Sequence, residues 1–418
     1  MRSFFKRINK KFLLIIAVVG PSIVTTMAGN DGGGVITYSL AGANFGFGLL
    51  ILLPFLTLIY GLTQEIGSRI AIVSGRGLAD LIRERYGVRT AVSVFTLFFF
   101  ANTGTLITNA AVIKSSLALF GVSQVWITVT CMVIVFAVSF MVTKFDYKTN
   151  QRIFLASMFL YVAYAISAVN IKPDWKAAFG ALVWPTPASL HPAAVIASIA
   201  FIGTTITPWG QFFIQSFMKD KKLPLEHLRI SRFEAYFGAF ISNLCTFFII
   251  VATSAALYDH HIILETGEQA ALAIEPFAGK FASALFGVGF LNAGIIGIII
   301  VGLSTSYAFT EFFGFEGTLD VGYAKGKNFY KLFYVQTIIA FCIVLFPAVS
   351  AFKIAAFTQS FNGILLPFIF YYLIRLSSDK GLMNNHVIDP TRKFLLSISA
   401  VLIASASIFS IVYSIFYI

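Results

Sequence analysis

Long apolar segments separated by short polar loops repeat along the whole 418-residue chain. Hydropathy predicts eleven candidate membrane spans, because about 20 predominantly apolar residues suffice to cross a bilayer. Their approximate extents are 12–43, 47–72, 92–117, 123–143, 152–170, 192–218, 233–257, 281–311, 330–350, 353–376 and 394–417. The pattern therefore predicts an all-α polytopic membrane protein.

The first and sixth spans each contain a sequence that breaks a helix. In the first, Asp31 is followed by three glycines, which are poor helix formers. In the sixth, Pro208 removes a backbone hydrogen bond and crowds the preceding turn. Irregular backbone is tolerated in a membrane only where it is buried in protein or lines a cavity. The expected hinge residues are Gly32, Gly33, Pro208 and Gly210.

The positions of the two breaks predict an inverted repeat. With five spans in each half, the sixth span corresponds to the first and has the opposite orientation. We expect one transmembrane transport domain over residues 1–418, with repeats at about 12–170 and 192–376 and an extra helix at about 394–417. Two unrelated kinks are the alternative, because proline and glycine are common in membrane helices.

Composition and charge support a membrane protein and exclude a nucleic-acid binder. Only 11% of the residues are charged, against about 25% in soluble domains. The net charge of +12 arises from Lys and Arg that lie in alternate loops, as the positive-inside rule requires. We expect a bacterial plasma-membrane protein with a cytoplasmic N-terminus and an external C-terminus. No Walker pattern is present, so ATP is not expected as a partner. The oligomeric state stays open.

Asp31 is the first candidate for a substrate site. A carboxylate at membrane depth costs at least ~2.5 kcal/mol, which a simple anchor helix would not carry. The first halves of both broken spans end in unpaired carbonyls, the negative ends of their half-helices. A cation is therefore the expected substrate. The alternative is that Asp31 only caps the second half of its span.

Several short motifs, taken in their order, resemble the Nramp family of divalent-metal transporters, which have the LeuT-type fold. The resemblance covers most of the chain. It is carried by Gly20-Pro21, Ala41-Gly42-Ala43, Gln64, the run Ser74-Gly75-Arg76-Gly77-Leu78-Ala79-Asp80, Glu268-Gln269-Ala270 with Pro276 and Gly279, Leu382-Met383, and Asp389-Pro390 with Lys393.

The metal-binding motifs of that family are altered in this sequence. The Asp-Pro-Gly-Asn of the first span reads Asp31 followed by three glycines, so the asparagine ligand is replaced by Gly34. The methionine of the sixth span is replaced by Thr207, and hydroxyl oxygen suits hard ions better than soft metals. Gly34 is expected to leave room for water on the ion. The resemblance implies a metal site made by Asp31, Gly34, Thr204, Thr207, Gln359 and Asn243.

The positions that carry protons in the family hold residues that do not titrate usefully. An acidic pair of the third span is replaced by Asn109 and Val112, and the histidine of the sixth span by Trp209. We therefore expect transport without proton coupling. Lys114, in the third span, either snorkels to the interface or acts on the ion pathway.

The sequence is similar to the Nramp-related magnesium transporters, a branch with an enlarged site. We expect a secondary transporter or facilitator, not an enzyme, which imports partly hydrated Mg²⁺ and also accepts Mn²⁺. The ion is the substrate, and no cofactor is expected. Three alternatives stay open: a proton-coupled Mn²⁺ or Fe²⁺ transporter, an amino-acid transporter of the same fold, and a divalent-cation channel.

Overall fold

The computed structural model describes the backbone of residues 20–261, 264, 267–345 and 351–417. Side chains at 267–278, 351–352, 411 and 413–417 lie outside this description. The motif residues Glu268, Gln269, Ala270 and Pro276 are therefore not described further, nor are the predicted span ends at 12–19 and 346–350. Within the described ranges the secondary structure is helical and contains no β-strand.

Sixteen α-helices, numbered α1 to α16, follow one another along the described residues. The first eight are α1 Pro21–Met27, α2 Gly32–Phe45, α3 Leu52–Ser74, α4 Leu78–Leu119, α5 Gln124–Lys144, α6 Tyr147–Met158, α7 Val162–Ile171 and α8 Trp175–Gly180. The others are α9 Pro192–Thr205, α10 Pro208–Lys221, α11 Leu228–Thr253, α12 Gly267–Phe313, α13 Lys327–Leu345, α14 Ala351–Ser377, α15 Lys380–Met383 and α16 Pro390–Tyr417.

The helices confirm the prediction of an all-α polytopic protein. In the described part of the chain, ten helical segments are long and apolar enough to cross a membrane, and they correspond to predicted spans two to eleven. The predicted first span appears as α1, a 3₁₀ turn at Ala28–Asn30, and α2. The predicted sixth span is likewise divided into α9 and α10. Both expected interruptions are therefore present.

The helix that contains the third predicted span begins before residue 92. Helix α4 starts at Leu78 and is interrupted at Gly87, whose φ of 82° is a conformation that favours glycine. The segment before Gly87 is amphipathic: Leu81 and Ile82 are buried, while charged residues alternate with them. Hydropathy does not register this amphipathic segment, so the predicted span covers only the apolar part of α4.

Close packing between spans positions the elements of the site. Helix α12 packs along α4, α11 along α3, and α14 against α9. Where α14 packs against α9, a Cβ on Gly203 would lie 2.8 Å from the Cα of Gly363, so only small residues permit the two helices to come this close. The approach brings Gln359, one turn before Gly363, towards the broken spans.

Lys114 has a hydrogen-bond partner in another span, and its two expected roles stay predictions. Its ammonium group donates a hydrogen bond to the backbone carbonyl of Val344, at 2.9 Å. Val344 belongs to α13, whose described residues end at Leu345. Lys114 therefore joins the third span to the ninth.

Candidate functional site

Asp31 lies at the break in the first span and is buried, with 2% of its surface exposed. Its extended backbone places it as the N-cap of α2, where Oδ1 accepts a hydrogen bond from the Gly34 N–H at 2.8 Å. Its other oxygen, Oδ2, accepts one from Nδ2 of Asn109 at 3.0 Å. The expected helix cap is therefore present, and the carboxylate also has a partner in the third span.

Asn109 binds both sides of the first break. Its Oδ1 accepts a hydrogen bond from the Gly32 N–H at 2.7 Å, while its Nδ2 donates to Asp31 and, at 2.9 Å, to the carbonyl of Thr105. The sequence identified Asn109 only as a position without a proton-carrying group. The structure shows in addition that this amide orients the carboxylate and satisfies a free N–H at the helix start.

The break in the sixth span repeats this arrangement with a hydroxyl group. Thr207 is the N-cap of α10, and its Oγ1 accepts a hydrogen bond from the Gly210 N–H at 3.1 Å. On the other side, the carbonyl of Thr204 lacks its helical donor, because the residue four positions on is Pro208. The Thr204 hydroxyl is also buried without a hydrogen-bond partner among the described residues.

The two breaks lie next to each other. The Tyr38 hydroxyl of α2 is 3.1 Å from Oγ1 of Thr205, at the end of α9. A Cβ on Gly29 would lie 3.7 Å from the carbonyl oxygen of Thr205 and 3.0 Å from the Tyr60 hydroxyl. The C-terminal ends of α1 and α9 thus approach each other close to Asp31. Their partial negative charges add to that of the carboxylate and make the region attractive to a cation.

Gln359 of α14 is also brought to the first break. Its Nε2 occupies the space that a side chain on Gly33 would need, so the glycine permits the contact. Its Oε1 accepts a hydrogen bond from Nδ2 of Asn362 at 3.0 Å. The structure thus places Gln359 beside the first break, and the contact between Tyr38 and Thr205 places the break that contains Thr204 and Thr207 beside it as well. Their roles as ligands of one ion stay predictions.

Two other expected ligands are placed differently. A Cβ on Gly34 would lie 2.5 Å from the carbonyl oxygen of Gly29, so backbone fills the space that was expected to hold water. Asn243 donates a hydrogen bond to Oγ1 of Thr57 at 2.8 Å, and the contacts described for it do not include Asp31. Its role as a ligand stays a prediction.

Asn30 is a site residue that the sequence analysis missed. It is fully buried, donates to Oγ of Ser242 at 2.9 Å, and accepts a hydrogen bond from Oγ1 of Thr246 at 3.0 Å. Ser242 in turn donates to the carbonyl of Thr26 at 2.7 Å. These bonds fix the first break to α11. An asparagine directly before Asp31 in an apolar span was the available signal.

Val112 and Trp209 contribute packing. Cβ of Val112 is 2.8 Å from the position of a Cβ on Gly32, so the valine covers the first break. Trp209 is fully buried, and its carbonyl accepts a hydrogen bond from Oγ of Ser304 at 2.8 Å. Neither side chain exchanges protons near neutral pH, as the sequence indicated.

Comparisons with known proteins identify the family and the fold of this chain. The sequence profile of the family described as "Natural resistance-associated macrophage protein-like", or Nramp, matches residues 22–413. A divalent metal cation transporter MntH of Listeria innocua is 23% identical over 419 residues, which cover 97% of this chain and 91% of the relative. The corresponding MntH 1 of Pseudomonas aeruginosa is 26% identical over 397 residues, with coverage of 88% and 85%.

A solved structure shows the same fold. The crystal structure of a manganese transporter from Eremococcus coleocola, in complex with an aromatic bis-isothiourea substituted compound, superposes with a TM-score of 0.75. The identity is 17%, and the match covers 96% of this chain and 87% of the other. The expected LeuT-type arrangement, with interrupted first and sixth spans, is thereby confirmed.

Proposed function

The chain belongs to the Nramp family, and on that premise we propose that it carries divalent metal cations across a membrane, with Mg²⁺ preferred. One observation supports a cation substrate above all. The buried Asp31 carboxylate lies where the negative ends of two half-helices approach each other. A positive ion offsets the cost of burying this charge, and a membrane protein carries such a cost at functional sites.

The chemistry of the available ligands favours a hard ion that keeps part of its water. The candidate ligands are the Asp31 carboxylate, the free Thr204 carbonyl and the oxygens of Thr207 and Gln359. Mg²⁺ dehydrates reluctantly and is usually bound by one or two carboxylates while several waters remain. Softer transition metals prefer a sulfur ligand, which the family motif supplies as a methionine and this chain replaces with Thr207. Mn²⁺, which also accepts oxygen ligands, is expected as a second substrate.

We further propose that transport is not coupled to protons. Asn109, Val112 and Trp209 occupy the positions where protons would be carried, and their hydrogen bonds and packing support the first and sixth spans. The membrane potential alone drives import, since a divalent ion gains ~4.6 kcal/mol per 100 mV, twice the value for one charge. This corresponds to more than a thousandfold accumulation at ~1.4 kcal/mol per decade.

The experiment that tests the site is uptake of Mg²⁺ and Mn²⁺ into proteoliposomes by Asp31→Asn. Asparagine preserves the helix cap and removes the charge. Opposite unit charges ~4 Å apart attract by about 4 kcal/mol at an effective dielectric constant of 20, so we expect at least ~100-fold weaker uptake. Asp146→Asn is the matched control, because Asp146 caps α6 in the same way, accepting from the Thr149 N–H at 2.9 Å. Equal uptake by both variants would refute the proposal.

Selectivity is tested at Thr207. Thr207→Met introduces a sulfur ligand and should shift the preference from Mg²⁺ towards Cd²⁺. The same change removes the N-cap of α10, which costs ~0.5–2 kcal/mol. Thr207→Ser therefore serves as the control, since it keeps both cap and hydroxyl and should keep the wild-type preference. An unchanged ratio of Mg²⁺ to Cd²⁺ flux in Thr207→Met means that the sulfur-to-oxygen exchange does not set selectivity.

The same liposomes separate the alternatives. Metal-dependent acidification of the interior indicates a proton-coupled Mn²⁺ or Fe²⁺ transporter. Competition by amino acids indicates an amino-acid transporter, in which Asp31 would bind the amine. Unitary currents in single-channel recording indicate a divalent-cation channel. For the leading proposal we expect saturable, voltage-driven uptake without any of these three results.

A further inference from the structure

A cavity of about 250 Å³ lies where the ends of three spans meet, on the side of the molecule that the charge pattern predicts to be cytoplasmic. Its lining includes three arginines from different spans. Arg69 lies near the end of α3, Arg232 near the start of α11, and Arg392 in the first turn of α16. The proposed ion ligands are not among the residues that line this cavity, so it is a separate feature of the structure.

Glu65 lies at this cavity and is buried, with 3% of its surface exposed. Oε1 accepts hydrogen bonds from Nη2 and Nε of Arg69 at 2.7 and 3.0 Å, and Oε2 also accepts one from Nη2. Nη1 of Arg69 donates to the carbonyls of His386 and Val387 at 3.4 and 3.3 Å. A guanidinium group has five N–H donors, so the donors of Arg69 are all used. Arg69 therefore suffices to pair the Glu65 carboxylate.

Arg232 and Arg392 approach the same oxygen of Glu65. Nε of Arg232 donates to Oε1 at 3.3 Å, and Nη1 of Arg392 is 3.5 Å from this atom. Nε of Arg392 is 3.1 Å from Oδ2 of Asp389. The other N–H groups of both arginines have no acceptor among the described residues. Because the two arginine side chains are 46% and 23% exposed, a ligand can reach them.

The cavity has an excess of positive charge. Three guanidinium groups face two carboxylates, Glu65 and Asp389, among the residues that line it. Cations that share one carboxylate oxygen repel one another, and the repulsion is stronger in a partly buried site than in water. Pairing of Glu65 explains the position of Arg69, but it leaves most N–H donors of Arg232 and Arg392 unused. A bound anion would accept from these donors and offset the excess charge.

We propose that this cavity, which we call the arginine cavity, binds a phosphate group, either of a phospholipid headgroup or of a soluble phosphate compound, through Arg232 and Arg392. The planar fork of arginine forms two-point contacts with phosphate, and a phosphate has enough oxygens to contact both guanidinium groups. In other membrane proteins, basic pockets between helices on the cytoplasmic side bind lipid headgroups. The bound group joins the start of α11 to the start of α16.

The first test measures binding of inorganic phosphate to the whole protein in detergent free of phospholipid. The unfolding midpoint is followed against phosphate concentration, with sodium chloride keeping the ionic strength constant. Arg232→Gln and Arg392→Gln each remove charged donors and should raise the apparent Kd about tenfold or more. Arg229→Gln is the matched control, because Arg229 is an exposed arginine one turn earlier on α11 that does not line the cavity. It should keep the wild-type Kd.

The second test identifies the source of the phosphate. In mixed micelles, phosphatidylglycerol should raise the midpoints of the wild type and Arg229→Gln more than those of Arg232→Gln and Arg392→Gln. Phosphatidylcholine should raise them less, because its choline group offsets the phosphate charge. A response to phosphatidylglycerol alone identifies a lipid headgroup, and a response to inorganic phosphate alone identifies a soluble ligand. A response to both shows that the phosphate group itself suffices.

Arg232→Lys keeps the proposal testable if the glutamine variants are too unstable to purify. Lysine keeps the positive charge beside Glu65 but loses the fork, so the apparent Kd should rise by about threefold or more. A wild-type Kd in this variant contradicts Arg232 as a ligand. If neither probe gives a saturable response, or if the wild type and all variants respond equally to both probes, the arginine cavity is not a phosphate site and the proposal is overturned.

Discussion

Replacing Asn109 by leucine should destabilise the protein much more than the same replacement at Asn102. Both asparagines are fully buried on α4, seven residues apart. Asn102 donates a hydrogen bond to the neutral hydroxyl of Thr305 at 2.8 Å. Asn109 donates to the Asp31 carboxylate and accepts from the Gly32 N–H. The pair of variants therefore compares a neutral hydrogen bond with the support of a buried charge.

The expected difference follows from these bonds. A hydrogen bond to a charged group contributes about 1.5–3 kcal/mol, and a buried N–H left without an acceptor costs about 1–3 kcal/mol. Asn102→Leu loses one neutral bond, worth about 1 kcal/mol. The apolar surface gained by leucine is the same in both variants and cancels. We expect Asn109→Leu to be less stable than Asn102→Leu by about 2–4 kcal/mol.

The assay is thermal unfolding of detergent-purified protein at neutral pH without divalent ions, monitored by size-exclusion chromatography. Asn109→Leu should have the lower midpoint, and added Mg²⁺ should raise it less than in Asn102→Leu, because a ligand stabilises the folded state by RT ln(1 + [L]/Kd) and so stabilises less where it binds more weakly. Equal midpoints for the two variants would refute the reasoning. They would mean that the Asn109 amide does not support Asp31 in the folded protein.

Three further outcomes are expected. Glu234 accepts a hydrogen bond from the Ser22 N–H at the start of α1, and Glu234→Gln weakens this acceptor. A cysteine at position 22 (Ser22→Cys) should therefore react faster with a thiol reagent added on the cytoplasmic side when Glu234→Gln is also present. An unchanged reaction rate would mean that Glu234 does not hold the start of α1. Tyr38→Phe removes the bond that joins the two breaks and should lower the unfolding midpoint modestly, by about 1 kcal/mol, without abolishing uptake. Burial raises the pKa of Asp389, but the backbone N–H and the charge of Arg392 outweigh it and hold the pKa below its usual range. The ionised Asp389 therefore stabilises the folded protein fully above about pH 4, and this stabilisation is lost as the pH falls through the depressed pKa. The unfolding midpoints of the wild type and Asp389→Ala should converge in acid. A difference between the two midpoints that stays constant with pH would contradict this expectation.

The features that the sequence predicted well are those that cost much free energy at a single position of a membrane helix. Three consecutive glycines and a proline are unfavourable inside membrane helices, so the breaks directly before Gly32 and Pro208 could be located from the sequence. A buried carboxylate is unfavourable in the same way, and Asp31 was therefore identified. The amphipathic start of α4, in contrast, costs little in any single position and was missed.

The choice between neighbouring polar residues could not be made from the sequence. Asn243 was expected at the site, whereas its neighbour Ser242 makes the contact with Asn30. Consecutive residues on a helix point about 100° apart, and an apolar span gives no periodicity from which to decide which one faces the break. Gly34 illustrates the other difficulty: a missing side chain is visible in the sequence, but the backbone of Gly29 that fills its space is not.

The hydrogen bonds at the two breaks leave acceptor positions of Asp31 and Thr207 unused while both helix caps are kept. A carboxylate has about four acceptor positions, and Asp31 uses two of them, for Gly34 and Asn109. The Thr207 hydroxyl has two acceptor positions and uses one, for Gly210. On the proposed function, an ion at the remaining positions would gain few protein ligands, because the others are committed to holding α2 and α10 in place. We therefore expect weak binding of ions that require a complete set of protein ligands, and for an ion that keeps its own water, such as Mg²⁺, we expect binding loose enough to allow release.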